Sequence, residues 1–86
     1  MEGTLEIWQG MIGLRGWTKK YFALNDSILI CYDTKDGEVE AKVHLKVATL
    51  DVSERKERQF TIYTGISKFK LRASSGELKI KWVDSM

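Results

Sequence analysis

The residues best placed to do chemistry in this 86-residue chain are Arg15, Lys19 and Lys20, with no acid anywhere in positions 10–20. Just ahead of them stand Met11, Ile12 and Leu14, set among Gly10, Gly13 and Gly16. Glycines at that density specify an exposed loop, and apolar residues without a period have no core face to serve. Cations beside exposed apolar side chains suit an anionic membrane surface: the charges attract it and the apolar groups enter it. A cation near an anionic leaflet is worth about 1 kcal/mol. A fully buried apolar side chain is worth roughly 1.5–3 kcal/mol, of which partial insertion recovers a fraction. The loop therefore supplies at least as much as the charges, which predicts weak, partly salt-resistant binding.

Other candidates point away from catalysis. Cys31 is the one cysteine and His44 the one histidine, so neither an intrachain disulfide nor a metal site is expected. Ser74 is better explained as a helix cap than as a nucleophile. The chain has no Ser–His–acid arrangement, paired-carboxylate signature, GxGxxG or P-loop. We expect a non-enzyme without a cofactor. Lys68, Lys70 and Arg72 read as a solvated outer sheet face with acid partners across the strands. A net charge of +2 argues against nucleic acid, although Trp17, Lys19 and Tyr21 share a face. One unpaired cysteine in a Lys/Glu-rich chain fits a reducing cytoplasm. No apolar run reaches the roughly 18–20 residues of a spanning helix, so membrane contact would be peripheral.

The elements that position these residues are mostly strands. Alternation predicts strands at 4–8, 17–24, 28–32, 42–45, 49–52, 59–64 and 68–73. Asn25-Asp26-Ser27 reads as a turn, residues 33–40 as a polar, mobile loop, and residues 53–58 as a charged connector. Lys20 falls on the face of Phe22 and Leu24, where a lysine either snorkels or meets an anion. From Ser74 the period changes. Ser74 and Glu77 fit a capping box, and Leu78, Trp82 and Met86 form one helical stripe that leaves Lys79 and Lys81 in solvent. The fold class is mainly β: a seven-stranded bent antiparallel barrel or sandwich capped by one C-terminal helix, with Trp82 as its plug. Residues 1–86 read as one domain, whose helix starts near Ser75 and ends on its own stripe as if cut close to the domain's end.

The run Gly16-Trp17-Thr18-Lys19-Lys20-Tyr21-Phe22-Ala23-Leu24, with a terminal helix bearing Trp82, resembles the pleckstrin homology family. Met1-Glu2-Gly3-Thr4-Leu5, Trp8, and Leu71-Arg72-Ala73-Ser74-Ser75 leading to Lys81-Trp82-Val83 look like the branch of oxysterol-binding proteins and four-phosphate adaptor proteins. That resemblance implies recognition of phosphatidylinositol-4-phosphate on Golgi-type membranes, often with an Arf-type GTPase. It implies that Lys20 grips the headgroup phosphate, that Tyr32 donates to a phosphate, that Arg15 and Lys19 attract the surface, and that Met11, Ile12 and Leu14 insert. Two positions depart from the branch: Ile7 stands where lysine is usual, and Thr18 where a basic residue or glutamine is common. Two readings follow, a membrane-targeting module and a protein-interaction module with little lipid affinity.

Overall fold

A computed structural model describes residues 1–11, 14–52 and 55–86, for 9–11, 14 and 15 as backbone alone. Its strands are β1 (Glu2–Met11), β2 (Leu14–Asn25), β3 (Ile28–Tyr32), β4 (Val39–His44), β5 (Thr49–Asp51), β6 (Gln59–Tyr63) and β7 (Lys68–Arg72), followed by α1 (Gly76–Ser85). All strand pairs are antiparallel, in the order β4-β3-β2-β1-β7-β6-β5. This is the expected class, seven strands and one terminal helix. The alternation that predicted it is visible in the core, which takes Leu5, Phe22, Leu24, Leu29, Cys31, Val43, Phe60, Ile62, Leu71 and Ala73 from one strand face. At the β2–β3 turn Asp26 adopts φ 55°, a left-handed conformation that aspartate tolerates. No helix among the described residues is long and apolar enough to cross a membrane.

β1 begins at Glu2 and runs through Met11, and β2 begins at Leu14, so residues 9–11 and 14–16, expected in an exposed loop, are paired as strand. Further boundaries also differ from expectation. β4 begins at Val39, so Val39 and Glu40 belong to a strand rather than to a mobile loop, and Asp33 N–H donates to Glu38 O at 3.1 Å to close the loop. Leu45 leaves the strand for a 3-10 turn, Leu45–Val47. The helix cap is Ser75, not Ser74: its hydroxyl accepts from Leu78 N–H at 3.2 Å. Glu77 then sits in the first turn, where it complements the helix dipole instead of closing a capping box.

The buried stripe also differs from the expected one. Lys79, Trp82, Val83 and Met86 face the sheet, and Leu78 is exposed. Lys79, expected in solvent, is buried, and its amine donates to Lys56 O at 2.7 Å. Its stem is buried while its head ties the 55–58 connector to the helix. Trp82 is 2% exposed, and an added Cβ at Gly3 would lie 3.7 Å from its ring. The helix thus covers the end of the sheet where β1 begins, opposite the β1–β2 turn.

Candidate functional site

β1 and β2 pair from Glu2↔Ala23 through Met11↔Leu14. Their outer neighbours stop earlier. β7 joins β1 only at Glu6↔Arg72 and Ile7↔Leu71, and β3 reaches β2 only as far as Tyr21↔Tyr32. Among the described residues, the stretch from Trp8↔Trp17 to Met11↔Leu14 is therefore a two-stranded ribbon running beyond the sheet. Of the expected inserting residues, Met11 and Leu14 have their backbone in this ribbon, as does Arg15. Their side chains, and Ile12 altogether, lie outside the described residues.

A free ribbon is marginal in water, and this one is braced at its base. Trp8 and Trp17 pack edge to face, 5.5 Å between centroids at 67°. The Arg72 guanidinium lies 4.3 Å over the Trp17 ring, and Lys70 lies 5.7 Å over Trp8. Arg72 also donates from Nε and Nη2 to the two Glu6 oxygens, at 3.1 and 2.9 Å. That bidentate contact holds the Glu6 carboxyl below the usual carboxylate range. Glu6 is the cross-strand acid expected for the outer basic face. The role of the two tryptophans was hidden because it depends on β7 lying beside β1.

Lys20 lies opposite Leu5 on the core-facing side, as alternation predicts, with its side chain 16% exposed. It is not a free cation. Its amine stands 2.9 Å from Glu40 Oε1, and that hydrogen bond raises its pKa above the ordinary lysine value. The partner comes from a bulge: Cys31 pairs with Ala41 and Tyr32 with Val39, leaving Glu40 as the extra residue. A bulge re-aims side chains, and here it delivers a carboxylate to Lys20. Period-two alternation has no means of finding it.

The remaining expected contacts do not converge on Lys20. Lys19 is exposed on the opposite face, across from Glu6. Tyr32 faces Tyr21, ring centroids 6.2 Å apart, on that same outer face. An open cleft runs from Thr4, Lys19, Lys20 and Tyr21 to Asp33, Thr34 and Lys35. Lys35 is a rim cation that the sequence reading passed over, because acids surround it at 33, 36 and 38. The loop presenting it is shaped by Asp33, whose carboxylate accepts from Thr34 N–H at 2.6 Å. A side chain at Gly37 would displace that carboxylate from its place in the turn.

The sequence model of the pleckstrin homology domain matches residues 10–86. The chain belongs to the pleckstrin homology family. Such domains are non-catalytic modules, as the lack of catalytic motifs had suggested. Human oxysterol-binding protein-related protein 9 is 27% identical across all of this chain, which spans 12% of that relative's length. The solution structure of the PH domain of human TBC1 domain family member 2 superposes with a TM-score of 0.84 at 23% identity, covering 98% of this chain and 74% of that one. The C-terminal PH domain of pleckstrin in complex with D-myo-Ins(1,2,3,5,6)P5 gives 0.84 at 20% identity, covering 99% and 88%.

Proposed function

We propose that this PH domain is a membrane-targeting module that binds a phosphoinositide headgroup, phosphatidylinositol-4-phosphate first among candidates, and inserts the tip of its β1–β2 ribbon. The observation that carries this reading is the ribbon itself. It extends past both neighbouring strands, is braced at its base, and carries Met11, Leu14 and Arg15, with Ile12 next to Met11 in sequence. The pleckstrin complex with an inositol polyphosphate and the oxysterol-binding relative support it. Lys20, Arg15, Lys19 and Tyr32 remain the proposed headgroup contacts, with Lys35 added at the rim. A peripheral site on cytoplasmic, Golgi-type membranes follows from the same resemblance.

Glu40 alters the energetics of this reading. A phosphate approaching Lys20 meets an ion pair, so it must displace or share the amine, and the ribbon has to contribute more than the pocket. The same pair, together with an apolar Ile7 packed against the core, favours the second reading, a protein-interaction module such as a partner for an Arf-type GTPase.

Vesicle co-sedimentation with and without phosphatidylinositol-4-phosphate tests the choice. We expect preferential pelleting with that lipid, about fivefold stronger for Glu40→Gln and about fivefold weaker for Lys20→Ala. The double variant Lys20→Ala/Glu40→Ala controls for a carboxylate left without its partner. A folded domain that pellets with no anionic lipid would sink the lipid reading in favour of the protein-interaction one.

A further inference from the structure

Alternation gives Lys68, Lys70 and Arg72 one outer face of β7, and acid partners across the strands are the expectation for all three. Among the described residues only Arg72 finds one, Glu6. Across from Lys68 stands Tyr63, and across from Lys70 stands Thr61. Each cation instead lies over a ring: Lys68 5.9 Å over Tyr63, Lys70 5.7 Å over Trp8 and Arg72 4.3 Å over Trp17. Glu6 cannot neutralise this face, because Arg58 and Lys19 act on it as well as Arg72. Residues 58–76 hold Arg58, Lys68, Lys70 and Arg72 and no acid. Asp51 lies beyond Thr61 on β5. Glu57 is turned to Gly76 at the start of α1, where the helix dipole favours a carboxylate. Towards that helix the stripe runs into an open cleft lined by Lys56, Glu57, Arg58, Gln59 and Arg72.

Strand residues two apart stand roughly 6.5–7 Å apart on one face. An extended partner chain has the same period, so carboxylates at its alternate positions fall into step with the cations of β7. Trp8 and Tyr63, 39% and 38% exposed, offer apolar surface beside those charges. The rings hold the cations in place beforehand, which lowers the entropic cost of meeting a ligand. Single-stranded nucleic acid is a poorer match, because bases stack on open ring faces and here the protein's own cations lie over the rings. A bilayer is also a poorer match. β7 runs antiparallel to β1, so the stripe leads away from the ribbon tip towards α1, along the side of the domain.

We propose that the outer face of β1, β7 and β6 docks an extended acidic segment of a partner protein, with carboxylates at alternate positions on Lys68 and Lys70, a further one at the Arg58 cleft, and an aliphatic side chain against Trp8. This goes beyond the membrane-targeting reading. A domain seated on a bilayer through its ribbon leaves this face open to water and free to hold the partner at the same time.

A fluorescein-labelled peptide alternating glutamate with threonine and valine tests the proposal by fluorescence anisotropy, with no lipid present. We expect saturable binding that weakens as salt is raised and is lost when glutamine replaces glutamate. Lys70→Glu and Lys68→Glu should each weaken it about tenfold. Lys68 is exposed, so its variant carries the test should Lys70→Glu melt below wild type. Lys46→Glu, the same charge change on the 3-10 turn, should bind as wild type does. In nuclear magnetic resonance spectra the Trp8 indole and the β7 amides should shift with peptide, and the Trp82 indole should not. No binding, equal binding of the glutamine peptide, an equal loss in Lys46→Glu, or shifts centred on Lys20 and Lys35 overturns the proposal. Tighter binding of oligothymidylate with the same indole shift, or displacement of the peptide by phosphatidylserine vesicles, also overturns it and gives the face to nucleic acid or to the bilayer. Peptide binding and vesicle pelleting are separate assays, so either reading can fail while the other stands.

Discussion

Glu6 and Arg72 meet across β1 and β7 with side chains 22% and 26% exposed, so their ion pair is half-shielded from water. Its contribution depends on pH in a direction that can be worked out. The Glu6 carboxyl is held below its ordinary value of 4.5, first by the Arg72 hydrogen bond. The native state therefore prefers the ionised form. The stabilisation is present above the unfolded value and is lost as pH falls through the native one. Glu6→Gln should cost roughly 0.5–1 kcal/mol at neutral pH and flatten the acid limb of urea-midpoint measurements below pH 4.5. An unchanged acid limb would show that the pair is decorative. At this scale the sequence was partly legible. The position of Lys20 on the core-facing side follows from Phe22 and Leu24, whereas Glu40 reaches it through a bulge that leaves no mark in the alternation.

The terminal helix shows how an element can be recognised and still be misplaced by one residue. Ser74 and Ser75 are adjacent, and either hydroxyl can cap; Glu77 favoured the first by spacing alone. The stripe that docks is also one residue away from the expected one, with Lys79, Trp82, Val83 and Met86 turned to the sheet instead of Leu78. A buried lysine is an improbable member of such a stripe until its acceptor is known, and Lys56 O comes from a connector distant in sequence. The measurable consequence separates the two serines. Ser75→Ala should lower stability by about 1 kcal/mol, while Ser74→Ala should change it by less than about 0.5 kcal/mol. Equal losses in parallel denaturant titrations would contradict the observed cap. Similarly, β4 starts earlier than its sequence suggests because Val39 pairs with Tyr32 of β3 and carries Glu40 into the strand as the bulge, two residues that read as loop.

Across the whole molecule, the strand count, the antiparallel order and the capping helix could be read from alternation and one change of period. What could not be read was which strands become neighbours late in the chain, and the bracing of Trp8 and Trp17 by Arg72 and Lys70 depends on that. Trp82 is the point at which the two ends of the fold are held together, being buried against Gly3 from the opposite end of the chain. Truncating it to alanine should cost about 3–5 kcal/mol. A domain of this length has about 4–13 kcal/mol in all, at about 0.05–0.15 kcal/mol per residue. Trp82→Ala should therefore be largely unfolded or melt far below wild type by circular dichroism, and a near-native melt would refute its role as the plug. The bulge at Glu40 has a consequence of another kind. The strand order leaves β4 and β5 at the two borders of the sheet, where unpaired backbone groups can template a foreign strand. β5 is only three residues long, which makes it a poor template. β4 is longer, but its hydrogen-bonding rhythm is broken at Glu40, and Lys42 and His44 point into solvent beyond the break. The irregularity that brings a carboxylate to Lys20 also spoils the longer border for edge-to-edge association, so one extra residue serves both the ion pair and the border.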